Sequence, residues 1–228
     1  MSNLPETTTP EYATDEDIAV VATGDFITLC PIWQQMASGS DGVLSVGPPW
    51  SLTSASVNFA TNGVSPNQVV QFTTPKANFP GAAGQLFAID TVAGNTITLR
   101  RLYKDIGVGQ PPCPAGGLTG VTFLVATLDP QTDNASFDIK RRFGIDENIV
   151  DRGSSWVYDL RDLRMATVFT VLHERYVAEA RSDRGDFARK IPLIKGQLST
   201  VLDRVQVRWG PFGNSAEPST LFSCKLSR

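Results

Sequence analysis

Apolar positions along this chain keep two different periods, and the changes between them divide it into segments. In the first segment Ile18, Val21, Phe26, Leu29, Ile32, Trp33 and Met36 follow helical spacing. Thr14 is a good N-cap, and Asp15, Glu16 and Asp17 complement the positive end of a helix dipole. Gly24-Asp25 and Pro31 predict a division into two short helices, with Pro31 near the start of the second. From Ser38 that period disappears. Short runs rich in Val, Thr and Phe, divided by Gly, Pro and Asn, predict strands near 55–59, 68–73, 84–91, 96–103 and 121–128. The stretch TVAGNT reads as a hairpin turn, because Gly94-Asn95 tolerates positive φ. Residues 107–117, GVGQPPCPAGG, hold too much Pro and Gly for regular structure and predict an exposed loop.

Helical spacing returns after Asp129-Pro130. A helix is expected from Asp133 or Asn134 to Gly144, which has the position and identity of a C-terminal cap. Ser155 then caps the longest periodic segment, with Trp156, Leu160, Leu163, Thr167, Val171 and Ala178 on one face. Val168 and Leu172 widen that face, and Gly185 ends the helix. A second arm places Phe187, Ile191, Ile194, Leu198, Val201 or Leu202, and Val205 at i+3/i+4 spacing. Pro192 predicts a kink or the arm's true start, and Gly196 weakens it. VQVRWG beyond it could form a final strand. Two long amphipathic helices joined at SDRGD form an antiparallel hairpin, which the flanking helices complete as a small bundle.

The expected fold class is therefore α+β: a small α-helical bundle with a long helix hairpin, interrupted by a mostly antiparallel β-barrel-like insertion. The expected segments are an N-terminal arm with short helices (1–37), a β-rich insertion (38–132), the bundle core (133–210) and a C-terminal tail (211–228).

Charge follows the same division. Residues 1–37 carry six acids and no base, residues 38–132 four of each, and residues 133–228 sixteen bases against thirteen acids. No segment is basic enough for a dedicated nucleic-acid binder. No run approaches the roughly 18 apolar residues of a membrane span, so no membrane partner is expected. The N-terminus lacks the basic and apolar regions of a secretion signal. Cys30, Cys113 and Cys224 lie far apart without a CxxC pair, which argues against a zinc site or a disulfide framework and for a reducing compartment.

Catalytic chemistry finds little support. His173 is the single histidine, and HERYV fails the HExxH zinc pattern because Val177 stands where the second histidine belongs. GxSxG, GxGxxG and Walker sequences are absent. Asp90 and Asp105 could be imagined as a glycosidase pair, although turn capping explains each more simply. Arg184-Gly185-Asp186 matches an adhesion tripeptide, yet a helix–Gly–helix corner accounts for all three residues. The expectation is a non-enzyme without a cofactor or metal. Two clusters remain as candidate contact sites. Lys140, Arg141 and Arg142 form a basic group at a helix C-terminus, where the dipole favours them. Trp209, Phe212, Leu221 and Phe222 make the C-terminal segment too apolar for a free end, and mark it as a partner interface or as packing on its own body.

YATDEDIA, ASFDIKRRFGID and the long YDLRDLRMATVFTVLHERYVAEARSDRGDFARKIPLIKGQLSTVL resemble the helical head-to-tail adaptor proteins, or head-completion connectors, of tailed bacteriophages. In that family two short helices precede a long helix hairpin, often with Phe near the start of its second arm, as at Phe187. The inserted FATNGVSPNQVVQF and GQLFAIDTVAGNTITLRR resemble small β-barrel modules of phage neck and tail proteins, with Pro66-Asn67-Gln68 in place of the usual Gly-Asp turn. The resemblance spans most of residues 12–210. It implies a structural virion protein of the neck, assembled in the host cytoplasm as a homo-oligomeric ring, most often of twelve copies. Its implied partners are the portal protein and the next neck or tail protein. In such a ring Lys140, Arg141 and Arg142 could line a channel for packaged DNA. A neutral insertion suits a module that faces other subunits, since burying unpaired charge costs several kcal/mol. Another tail-ring or decoration protein, or a carbohydrate-binding or hydrolytic β module, stands as the alternative.

Overall fold

In a computed structural model, which describes residues 12–75, 78, 86–102, 117–146, 160–181 and 185–205, Thr14 opens α1 (Asp15–Val21). The Asp17 carboxylate accepts from the Thr14 backbone N–H at 2.9 Å and from its hydroxyl at 3.1 Å, holding the first turn closed. α2 (Phe26–Leu29) and a 3₁₀ turn (Ile32–Gln34) follow. The helical spacing that reaches Met36 in the sequence breaks here, because the chain becomes extended at Gln35. Contacts divide the chain into two compact units, residues 14–129 and residues 1–13 with 130–228. Both short helices group with the strands.

Six strands close into a barrel: β1 (Gln35–Leu44), β2 (Ser51–Thr53), β3 (Val69–Thr74), β4 (Leu86–Ala93), β5 (Thr96–Arg101) and β6 (Val121–Ala126). Their order around the barrel is β1-β2-β5-β4-β3-β6, and β6 pairs with β1 to complete the circle. Every pairing is antiparallel. β3, β4 and β5 form a meander, and β2 lies beside β5 to make a Greek key. The β4–β5 turn is the one the sequence predicts. Gly94 takes φ +60° in a two-residue connection, and Ala93 pairs with Thr96. Asn67, at φ 71°, supplies the left-handed residue before β3, which a short polar side chain tolerates.

The four strands expected at 68–73, 84–91, 96–103 and 121–128 are present with small shifts, and the one at 55–59 is not. There Ser54 Oγ accepts from the Val57 N–H at 3.1 Å, and Asn58 Oδ1 accepts from the Thr61 N–H at 3.1 Å. Such local bonds compete with a ladder and win. The alternation of Val57 and Phe59 instead sends Phe59 from an irregular loop into the barrel core, 5.5 Å from the Phe123 ring.

β1 has no counterpart among the predicted strands, for a physical reason. QMASGSDGVL turns glycine toward the interior at two places where large side chains would clash. A Cβ on Gly39 would lie 2.8 Å from the Phe123 ring, and one on Gly42 would lie 2.8 Å from both Leu52 Cδ1 and the Val121 carbonyl oxygen. Register shifts between Gln35 and Ala37 and between Gly39 and Gly42 bend the strand as it wraps. Phe59, Phe72, Phe123, Leu52, Ile89 and Ile97 are fully buried inside.

Arg100 fixes α1 to the outside of this barrel. Its buried guanidinium pairs with Glu16 of α1, approaches Asp90 Oδ1 at 3.6 Å and donates to Asn67 Oδ1 at 3.1 Å. Asp15 makes a second tie, accepting the Leu128 N–H at 2.6 Å. Burial, and then the neighbouring Asp129, push its carboxyl well above the ordinary aspartate range.

In the other unit, α3 (Asp129–Phe143) buries Thr132, Ala135, Ser136, Ile139 and Lys140 as one stripe. The helix begins a turn earlier than expected. It ends where expected: Gly144 takes φ 67°, and the Ile145 N–H reaches the Lys140 carbonyl at 2.9 Å. α4 (Leu160–Arg181) is buried on more than one face, through Leu163, Ala166, Val168, Leu172 and Tyr176 among others. Ala178, expected on its buried face, is exposed, and so is Leu160. α5 (Gly185–Leu202) packs along α4 and keeps Pro192 within it, on the exposed side. Phe187, Ile194 and Val201 are buried as the spacing predicts, and the Phe187 ring stacks on Tyr176 at 5.5 Å. The Ser155 cap, the 107–116 part of the predicted loop and the strand proposed at 206–210 lie outside the described residues.

Gly42→Ala places a methyl against backbone, which cannot rotate away as a side chain can. Overpacking of this kind costs about 1–3 kcal/mol. Chemical denaturation should show a lowered midpoint with an unchanged slope, and Gly24→Ala, which meets open space, serves as the control.

Candidate functional site

Between Asp41 and Lys76 the chain runs through 34 residues without a charge. Over the described part of residues 35–126, the charged side chains are Asp41, Asp90, Arg100 and Arg101. Most of that charge is used within the unit itself. Asp41 accepts from the Ser54 hydroxyl and from the Ala55 and Ser56 N–H groups, each at 2.8 Å. The Ser54 hydroxyl bond, first, and the Ser56 backbone bond lower its carboxyl to about 2. Arg100 is committed to Glu16, Asp90 and Asn67.

The outward positions of β2, β4 and β5 carry hydroxyls instead, and these satisfy one another. Thr53 and Thr96 are joined across strands at 2.9 Å, Thr91 and Thr98 at 2.7 Å. The result is an outer wall that is polar but nearly without charge. Two apolar tips interrupt it. At the start of β1, Ile32 is 81% and Trp33 82% exposed; past its end, Val46 is 84% exposed. Pro48 and Pro49 beside Val46 are exposed too, whereas Trp50 packs against the core. Core charge depletion with aromatic anchors is the compositional mark of a protein–protein interface.

Sequence reasoning assigned Ile32 and Trp33 to a helix face and so missed this exposure. Pro31 was the available signal: Gln34 binds back to the Pro31 carbonyl in a tight turn, which leaves the two intervening side chains outward.

The basic cluster at the end of α3 divides. Lys140 is buried, and its ammonium lies 5.2 Å from the centre of the Tyr12 ring, a cation–π contact that holds the N-terminal segment. A buried ammonium cannot meet a DNA phosphate, and of the three basic residues only Arg141 and Arg142 are exposed. His173 is half-buried on α4. Next to it, burial and then Asp138 raise the Glu174 carboxyl, partly offset by His173. Asp90 is in an ion pair and its imagined partner Asp105 lies outside the described residues, as do Trp209, Phe212, Leu221 and Phe222. Among the described residues no group of His, Cys, Asp and Glu could hold a metal ion, and no helix is long and apolar enough to cross a membrane.

Comparison with known proteins finds no matching family, no matching curated protein and no matching solved structure.

The Asp41 contacts give the loop 54–56 a pH signature. A carboxyl lowered from 3.8 to about 2 favours the folded state above the unfolded value, and that contribution disappears as pH falls through the folded value. Asp41→Asn should melt below the wild type at neutral pH, and the gap should narrow between pH 3.8 and about 2. Thermal melts of both proteins across that window check it.

Proposed function

We propose that this chain is a structural assembly protein, best read as a phage neck adaptor that forms a ring between portal and tail and extends the DNA channel. The observation that carries the reading is the barrel wall. A soluble surface ordinarily spends charge on solubility. This one binds its few charges internally and presents hydroxyls with Ile32, Trp33 and Val46. Such a surface suits contact with other protein subunits.

The resemblance of the helical segments to head-to-tail adaptors supplies the more specific part of the reading: virion, neck, a dodecameric ring, and portal and tail partners. Arg141 and Arg142, exposed at the C-terminus of α3, are the positions from which packaged DNA would be touched without sequence preference. The alternative of a hydrolytic β module is less well supported, because Asp90 is occupied by Arg100.

Negative-stain electron microscopy of the purified full chain should show rings of uniform size. Because the contacts proposed are uncharged, sedimentation should give the same oligomer at low and at high salt. A monomer at all concentrations, or a ring that falls apart as salt rises, would contradict the proposal.

A further inference from the structure

The two apolar tips lie at opposite ends of one strand. Ile32 and Trp33 immediately precede β1, beside the end of β6, where the Thr127 N–H reaches the Gln34 carbonyl at 3.1 Å. Val46 follows the other end of β1, near the approach to β6, where the Leu44 N–H reaches the Leu118 carbonyl at 2.8 Å. The ten residues of β1 separate the tips by about 30 Å of extended chain. Val43, 44% exposed, extends the second tip along the strand.

We propose that these tips bind each other between copies: the Ile32–Trp33 tip of one chain seats on the Val43–Val46 tip of the next. Two observations favour a second copy as occupant. The patches differ from one another, which fits a head-to-tail contact; an isologous pair needs one patch repeated. Neither tip carries a charge, and no charged residue occurs from 26 to 40 or from 42 to 75, so the patches match in polarity. The area also fits. A buried Trp covers about 150–250 Å², so one such contact stays well below the roughly 1,600 Å² of a stable pairwise complex. A contact this small holds only when each copy makes two of them and the chain of contacts closes. The inference rests on the reading of the chain as a ring subunit and assigns that ring's interface.

Charged substitution at each tip tests it. Trp33→Lys and Val46→Glu alter residues that are more than four-fifths exposed, so both full-length variants should keep the wild-type far-ultraviolet circular dichroism, while losing whatever thermal stability assembly adds. Each alone should be monomeric by mass photometry, because one half of every contact is spoiled. An equimolar mixture should recover the wild-type assembly. In the mixture, copies of the two variants alternate. Native Trp33–Val46 contacts then alternate with contacts in which the introduced lysine meets the introduced glutamate. Rescue on mixing is the expected result, and an isologous contact cannot produce it. If the wild type assembles and the variants assemble equally well, or fail alone and together, the head-to-tail contact is overturned and the tips serve other proteins. If the wild type itself never assembles, the ring reading and this interface both fall.

Discussion

Closing six short strands around three fully buried phenylalanines is the constraint on which the rest of this structure depends. A sheet this narrow closes only if one strand bends sharply and passes close over the core. β1 does so by giving up side chains where Phe123 and Leu52 need the space, at Gly39 and Gly42, and by shifting register twice against β6. The result is a closed barrel in which every strand has a partner on both sides over part of its length, which limits backbone pairing with a neighbouring chain. Its described wall and ends therefore present mainly side chains.

That limit gives the charge distribution its meaning. Removing charge from a surface invites association, and among the described residues of the strands Asp41 and Arg100 are bonded within the unit. Asp41 accepts from a loop's N–H groups at the surface, and Arg100 is buried against Glu16 of α1. Each of these charges stabilises the unit's own geometry instead of its solubility. The charge-rich part of the chain is elsewhere, on helices α3 to α5, whose outer faces carry Arg141, Arg142, Arg164, Arg189 and Lys195.

Much of this was legible from residue order. The helix hairpin could be read because α5 meets α4 along one stripe, so its apolar residues keep a single period from Phe187 to Val201. The β4–β5 hairpin could be read because Gly94 has one conformational use. Three things could not. β1 lacks the apolar alternation by which strands are recognised, since its interior contribution is space. Residues 55–59 do alternate, yet Ser54 and Asn58 hold them in turns. The basic cluster looked uniform as a string, whereas helix geometry buries Lys140 on Tyr12 and turns Arg141 and Arg142 outward. The exposure of Ile32 and Trp33 was hidden for a similar reason: apolar residues count as core in any pattern until a turn such as the one after Pro31 places them outside.

The proposal that copies meet through the ends of the barrel puts Trp33 inside the contact. Hydroxyl-radical footprinting of the full chain, read by mass spectrometry before and after assembly, tests it most directly. Trp33 on the barrel and Phe137 on α3 are both exposed, at 82% and 60%, and both oxidise readily. The account requires oxidation of Trp33 to fall sharply on assembly while Phe137 stays reactive. Protection of Phe137 with Trp33 unchanged would contradict it.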